Sequence, residues 1–296
     1  MIVITAPTGN IGRRLLPLLL DAGARLRVVV RDPDRLPETV RGAVEVITGS
    51  HGDPETVDRA FTGADAVFWL VPPDASRTPE DAYSGFTRPA ARAFATHGVS
   101  HVVGVSALGR GTPQAAHAGL VTASLAMDDL IADTGVAYRA LANPSFFENL
   151  LEDADSIREH GVFTDTLAPD HPAPLVAVAD IAAAAAALLL DRSWTGVDSV
   201  AVLGPQDLSP NDLARIMTEE LGRPVRYQRE SLDDLRTTML AYGLNAAFVE
   251  AMVDMKRAKD HGLDTWPDHA PRTGTTFAHW CAQTLKPVLN GTVDAH

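Results

Sequence analysis

Cysteine is nearly missing from this 296-residue chain: Cys281 stands alone, which excludes an intramolecular disulfide framework and any cysteine-rich metal site. Lysine is almost as scarce. Only Lys256, Lys259 and Lys286 occur against 22 arginines, so the first 255 residues offer no lysine for catalysis. No apolar run approaches the roughly 20 residues a bilayer needs; the longest, Ile181 to Leu190, has ten residues and includes six consecutive alanines, a buried helix by composition. The start, Met1-Ile2-Val3-Ile4-Thr5, lacks the basic flank and long apolar core of a secretory signal. Positive charge is deficient too: the net charge is −13, which repels phosphate backbones, and no basic patch suggests nucleic-acid binding. The ten histidines show no His-x-x-x-His or Glu-paired spacing, so no metal is expected. These absences together predict a reduced, cytoplasmic protein, without membrane or nucleic-acid partners.

What is present is a rhythm. Short, β-branched apolar runs at Ile2–Thr5, Leu26–Val30, Val44–Thr48, Ala66–Val71, His101–Ser106 and Val136–Leu141 alternate with helical spacing at Ile11–Ala22, Pro54–Phe61, Glu80–Thr96 and Leu120–Asp133. Strands that are apolar almost throughout are buried on both faces. The pattern predicts an α/β, Rossmann-type doubly wound parallel sheet. After Leu141 the rhythm changes, and from Pro205 the chain reads as mostly helix with one extended piece, Val225–Gln228. The expected division is a dinucleotide-binding domain over 1–149, rejoined by 172–204 through a helix and the strand Ser199–Leu203. A smaller, mainly helical C-terminal substrate domain would comprise 150–171 and 205–296.

The strongest local signal is Thr5-Ala6-Pro7-Thr8-Gly9-Asn10-Ile11-Gly12-Arg13-Arg14, directly after the first strand and opening the first helix. Backbone N–H groups of Thr8, Gly9, Asn10 and Ile11 at such a helix start suit a pyrophosphate. Gly9 allows close approach of the phosphate, and Gly12 close packing of helix on strand. The competing reading, a plain strand–helix turn, is weakened by its place at the head of a βαβ rhythm. At the end of the second strand, Val30-Arg31-Asp32-Pro33-Asp34-Arg35 places arginines where an acid would chelate the ribose of NAD. Arg31 and Arg35 therefore favour NADP(H), with Asp32 capping a short helix begun by Pro33; a solvated loop of balanced charge is the alternative.

These segments resemble the NmrA-like branch of atypical short-chain dehydrogenases/reductases. The carrying motifs are Ala6-Pro7-Thr8-Gly9-Asn10-Ile11-Gly12-Arg13, Arg31-Asp32-Pro33, Gly63-Ala64-Asp65-Ala66-Val67-Phe68, Val103-Gly104-Val105-Ser106-Ala107, Phe146-Phe147-Glu148-Asn149-Leu150, Val178-Ala179-Asp180-Ile181-Ala182 and Gly222-Arg223-Pro224-Val225. The resemblance implies an NADP(H)-binding Rossmann domain, with Val71 beside the cofactor, and a small C-terminal domain closing over the nicotinamide. It also implies a choice, since members include quinone, ketone and imine reductases as well as regulators that bind the cofactor without turnover. Three departures stand out: Ala6 replaces a glycine, with Pro7 predicting an extended backbone at Ala6; Gly49-Ser50 replaces Gly-Asp; and Leu141-Ala142-Asn143-Pro144 replaces Leu-Arg-Pro-Gly.

The superfamily's Tyr-x-x-x-Lys pair is absent, because none of Tyr83, Tyr138, Tyr227 and Tyr242 has a lysine four residues later. Ser106, at the end of the fifth strand, matches the substrate-polarising serine of that superfamily, against the alternative of a serine bonded to backbone. His117, in the loop from Gly109 to Gly119, is the candidate proton source, against that of an exposed loop histidine; His171 is a weaker candidate. Pro72, Tyr83, Phe146 and Phe147 are expected to line an aromatic substrate pocket, together with Trp69, though such residues are as often core. Asn149 is expected to hydrogen-bond within the loop after the sixth strand. Asp128-Asp129 and Lys256-Arg257-Lys259 read as solvated helix faces. The function expected is an NADPH-dependent ketoreductase or quinone reductase of antibiotic-tailoring type, acting on an aromatic ketone or quinone as a monomer or homodimer. The alternative is a non-catalytic NADP(H) sensor.

Overall fold

The computed structural model describes residues 1–266, 271–272 and 274–292. Residues 267–270, 273 and 293–296, part of the expected C-terminal domain, lie outside them. The first strand, β1 (Ile2–Thr5), leads into helix α1 (Gly12–Asp21), and β2 (Leu26–Val30) follows. Next come α2 (Glu38–Arg41), β3 (Glu45–Thr48), α3 (Pro54–Phe61), β4 (Ala66–Trp69), α4 (Phe86–His97), β5 (His101–Ala107), α5 (Leu120–Ala132) and β6 (Ala137–Asn143). The elements expected from periodicity are all present, three with unchanged ends and the others with ends moved by one or two residues, except that a π turn, Asp81–Gly85, precedes α4 and moves its start from Glu80 to Phe86.

The chain divides into two compact units. The first comprises 1–107, 123–142 and 181–200 and holds a seven-stranded sheet, ordered β10-β6-β5-β4-β1-β2-β3, where β10 is Val197–Ala201. The pairs β1–β2, β1–β4, β2–β3 and β4–β5 are parallel, with Ile4 opposite both Val28 and Phe68. One sheet face places Val3, Val29, Val67, Trp69 and Val102 against Phe61 of α3, Phe94 of α4 and Ile131 of α5. Phe61 and Phe94 stack with ring centres 5.2 Å apart. The chain winds outward from β1 to β3, then returns to start β4 on the other side of β1. The reversal opens a crevice at the carboxyl ends of β1 and β4, where such sheets hold ligands.

The second unit comprises 108–122, 143–180 and 201–296. It contains β7 (Ser145–Phe146), α6 (Ala154–His160), β8 (Val162–Asp165), β9 (Ala173–Val176), the start of α7 (Val178–Leu190), β11 (Asp207–Leu208), α8 (Pro210–Leu221), β12 (Arg226–Arg229), α9 (Leu232–Ala241) and α10 (Ala246–Asp260). Here the sequence expectation needs correction. Only 181–200 rejoins the sheet unit, not 172–204, because β9 pairs with β7 and β11 instead. The loop 108–122 also belongs to the second unit: Gly119, at φ +53°, lies so close to α10 that an added Cβ would sit 1.8 Å from the Ala251 carbonyl oxygen. Phe147, Phe163, Met217, Phe277 and Trp280 form a second core around the buried Cys281. No helix among the described residues is long and apolar enough to cross a membrane.

Candidate functional site

The crevice of the first unit is fastened by one side chain. Buried Thr5, the last residue of β1, donates its hydroxyl to the Phe68 carbonyl and accepts from the Leu70 N–H, each at 2.9 Å. The chain then turns through Ala6, whose φ is +48°. The extended backbone expected ahead of Pro7 is therefore not adopted. The tight turn requires a left-handed residue here, at a cost of about 1–2 kcal/mol for any side chain. Its carbonyl accepts from the Gly9 N–H at 3.1 Å. A Cβ on Gly12 would lie 2.3 Å from that same carbonyl oxygen, whereas one on Gly9 would meet it at an ordinary 3.4 Å. Gly12 is thus required by the protein's own packing. Thr8 is half-buried, Gly9 and Asn10 are exposed, and Ile11 is 3% exposed, so the N–H groups of the turn stand at a solvent-facing helix start while Ile11 anchors it.

At the end of β2 the arginines are free. Asp32 caps the short turn Pro33–Arg35 by accepting from the Asp34 N–H, as expected. Arg31 and Arg35 are exposed, and among the described residues neither side chain makes a hydrogen bond or ion pair. Two unpaired guanidiniums beside a glycine turn fit a dinucleotide carrying an extra phosphate.

A residue that the sequence reasoning missed lies next to them. His51, after β3, is 7% exposed, with Nε2 2.9 Å from the Leu70 carbonyl and its ring edge-on to Trp69 and Phe86. Burial lowers its pKa to about 4, the Leu70 bond opposing and the Arg31 charge assisting. It follows the Gly49-Ser50 departure, and nothing in its local pattern signals burial. Val71 is buried at the same edge, and Pro72 is exposed. Tyr83 packs on the sheet core, where burial pushes its phenol up to about 12. Trp69 is fully buried and donates Nε1–H to Thr87, which makes it core.

Ser106 reaches a group assigned above to solvent. Asp128 on α5 is only 3% exposed; one carboxylate oxygen accepts from the Ser106 hydroxyl and the other from the Tyr138 hydroxyl at 2.6 Å. Gly104, two residues before Ser106, leaves room for that phenol, since a Cβ there would lie 2.3 Å from it. The signal was legible: Val121, Ser124, Leu125, Asp128 and Ile131 follow helical spacing along one buried face. The Ser106 proton points to Asp128, not outward.

In the second unit, His117 is exposed on a short turn, Ala115–His117, and His171 is half-buried. Phe147 is 2% exposed between Phe277 and Trp280, with no face left for a ligand. Its neighbour Glu148 is an anchor, accepting from the Val178 N–H and from Trp280. Phe146 and Asn149 line a cavity of about 570 Å³ whose lining belongs entirely to this unit; Asn149 makes no hydrogen bond among the described residues. Of the basic residues of α10, Arg257 is exposed as expected, whereas Lys256 and Lys259 are turned to buried or half-buried carboxylates. Lys256 meets Asp165 at 2.7 Å, Arg257 meets Asp254 at 2.6 Å, and Lys259 pairs with Asp264 with both side chains largely buried.

Residues 7–192 match a family model described as NAD(P)H-binding. The chain is 32% identical to a (4-alkanoyl-5-oxo-2,5-dihydrofuran-3-yl)methyl phosphate reductase of Streptomyces griseus, over 96% of this chain and 97% of that protein. It is 27% identical to an NAD(P)H azoreductase of Xenophilus azovorans, over 95% and 96%. An Escherichia coli NADPH-dependent quinone oxidoreductase, solved with NADPH, shares the fold at a TM-score of 0.76 and 22% identity, over 98% of this chain and 99% of that one. The transcriptional regulator NmrA, solved with NAD, does so at 0.72 and 14%, over 99% and 98%.

Two outcomes are expected. Gly12→Val should lower the unfolding temperature and abolish NADPH binding. Gly9→Ala should unfold like the parent yet bind NADPH more weakly, because the added methyl occupies the space through which the phosphate approaches the backbone; calorimetric scans and a binding titration check both. His51 should make the protein acid-sensitive. Its folded pKa lies below the unfolded value of 6.5, so its contribution is complete above pH 6.5 and is lost as pH falls through about 4. The loss is on the order of 3 kcal/mol, and denaturant titrations between pH 7 and 4 should show a shallower decline for His51→Gln.

Proposed function

Because the chain belongs to the NAD(P)H-binding family, as an NmrA-like member of the short-chain dehydrogenases/reductases, we propose that it is an NADPH-dependent reductase whose acceptor is an aromatic ketone or quinone. Polycyclic acceptors of an antibiotic-tailoring pathway are included. The observation that carries this reading is the buried Ser106–Asp128–Tyr138 cluster at the end of β5, in a chain with no Tyr-x-x-x-Lys pair. The names of the relatives point the same way, since an azo compound, a quinone and an unsaturated furanone are all electron-poor.

NADPH, when bound, supplies hydride. The glycine turn would hold the pyrophosphate, with Thr8, Asn10 and Ile11 offering N–H groups and Gly9 allowing close approach, while Arg31, assisted by Arg35, would bind the extra phosphate and Val71 would pack beside the cofactor. No tyrosine has a lysine four residues later to activate it. The Tyr138 hydroxyl is spent on Asp128, and Tyr242 is 80% exposed. Burial, with Asp165 adding to it, pushes the Tyr227 phenol far up, and burial alone raises Tyr83. Ser106, with its proton directed at Asp128, shapes the crevice and offers lone pairs rather than a strong donor. The proton then comes from water or from His117, after charge has spread over the acceptor. Pro72 and Tyr83 would contribute apolar surface in the first unit, and Phe146 in the cavity of the second. The lack of an activated acid also favours a second reading, a non-catalytic NADP(H) sensor. NADPH consumption with a panel of quinones and polycyclic ketones decides between them: oxidation supports the reductase, and binding without oxidation the sensor.

Arg31→Ala should weaken NADPH roughly 10- to 150-fold while NADH changes little, from the value of a charge-assisted bond; equal losses in a titration of both cofactors would contradict this role. Ser106→Ala and His117→Ala should each lower the single-turnover rate by about tenfold or less, below the usual contribution of a positioned acid. A loss above about a thousandfold from either change would reveal a dedicated proton donor.

A further inference from the structure

We propose that the cavity of the second unit selects molecules with an apolar body and a fixed positive charge, which names the acceptor class of the reduction proposed above and rests on that reading. The volume, about 570 Å³, is that of a small-molecule site. Its apolar wall includes Phe146, Leu235, Met239, Met252 and Met255, and the methionines supply a polarisable surface that adapts to flat or irregular rings.

The polar part of the lining has one sign. Glu152, Asp153, Asp165, Glu230 and Asp264 are its acids, and Lys256 is the only base among the described residues. That base is already committed to Asp165 at 2.7 Å. The Glu230 side chain makes no hydrogen bond among the described residues. Asp153 receives only two long contacts, each 3.4 Å, from Thr164. Asp264 is 8% exposed, and while one of its oxygens meets Lys259, the other, Oδ1, is buried without a hydrogen-bond partner among the described residues. Burial raises the pKa of both Asp153 and Glu230; the neighbouring carboxylates raise both further, and Lys256 only partly opposes them. A cation entering the cavity supplies what these groups lack, and its desolvation is offset by carboxylates already in place. A sulfonate or phosphate meets a surplus of carboxylates, with no unpaired cation in the lining among the described residues.

The test uses three 1,4-naphthoquinones that share one linker and end in trimethylammonium, methoxy or sulfonate. Binding to the full chain is measured by titration calorimetry, and NADPH oxidation separately by absorbance. Affinity should fall in that order, with at least about tenfold between the cationic and sulfonated forms, and the spread should narrow in high salt. In Glu230→Gln, and in Glu230→Gln combined with Asp153→Asn, the preference for the cationic over the methoxy form should drop about fivefold per carboxylate. Asp198→Asn, an exposed carboxylate on β10, should leave that preference alone. Equal affinities for the three quinones, or preference for the sulfonate, would overturn the proposal even if all three are reduced. Preferential binding of the cation without NADPH oxidation would uphold the cavity's selectivity and overturn the reductase reading instead.

Discussion

The first unit depends on how closely α1 can begin beneath the end of β1. The Ala6 carbonyl lies where the Cβ of any residue but glycine at position 12 would be, so the helix starts flush with the strand. Arg13 and Arg14 donate to the Gly9 and Ile11 carbonyls and Gly9 to the Ala6 carbonyl, which leaves the N–H groups of Thr8, Asn10 and Ile11 for the crevice. Thr5 sets the other boundary by joining β1 to the end of β4 through both roles of one hydroxyl. Ala6 bears the cost in a left-handed backbone. That local strain persists because the surrounding strand and helix leave the turn no other path.

Charge is distributed unevenly between the exposed and the enclosed regions. The guanidiniums of Arg31 and Arg35 stand unpaired at the crevice, whereas the two lysines of α10 are consumed by carboxylates inside the second unit. A chain of net charge −13 thus keeps free cations at the expected extra-phosphate position and a surplus of acid in its cavity. His51 registers the first of these fields, since the cation at Arg31 adds to burial in holding its imidazole neutral.

The buried Asp128 has a comparable organising role. It gathers a hydroxyl from β5 and another from β6 against α5, so three elements meet on one carboxylate. Removing its charge would leave two buried hydroxyls short of an acceptor, a cost that apolar neighbours cannot offset. A polar cluster of this kind holds a strand end more rigidly than methylene packing does, and it leaves the reacting surface to be shaped by position more than by acid strength.

The alternation of apolar runs with helical spacing determined the doubly wound sheet, because burial on both faces leaves a strand no polar side to show. The glycine turn and the Arg31-Asp32-Pro33 corner were legible for a similar reason: their chemistry lies in residues adjacent along the chain. Asp128 was legible in principle from its place on the buried stripe of α5, yet its acidic neighbour Asp129, which is exposed, disguised it. Other features were decided only by the tertiary structure. The division of 172–204 depended on which strands β9 found as partners, and the left-handed Ala6 on a clash between residues six apart. The burial of His51 required Leu70, Trp69 and Phe86, and the fate of Phe147 required Phe277 and Trp280, more than a hundred residues away. A sequence specifies what each residue can do within a few bonds of its neighbours. Whether a phenyl ring becomes wall or core, or a carboxylate solvated or enclosed, is settled by distant chain segments competing for the same volume.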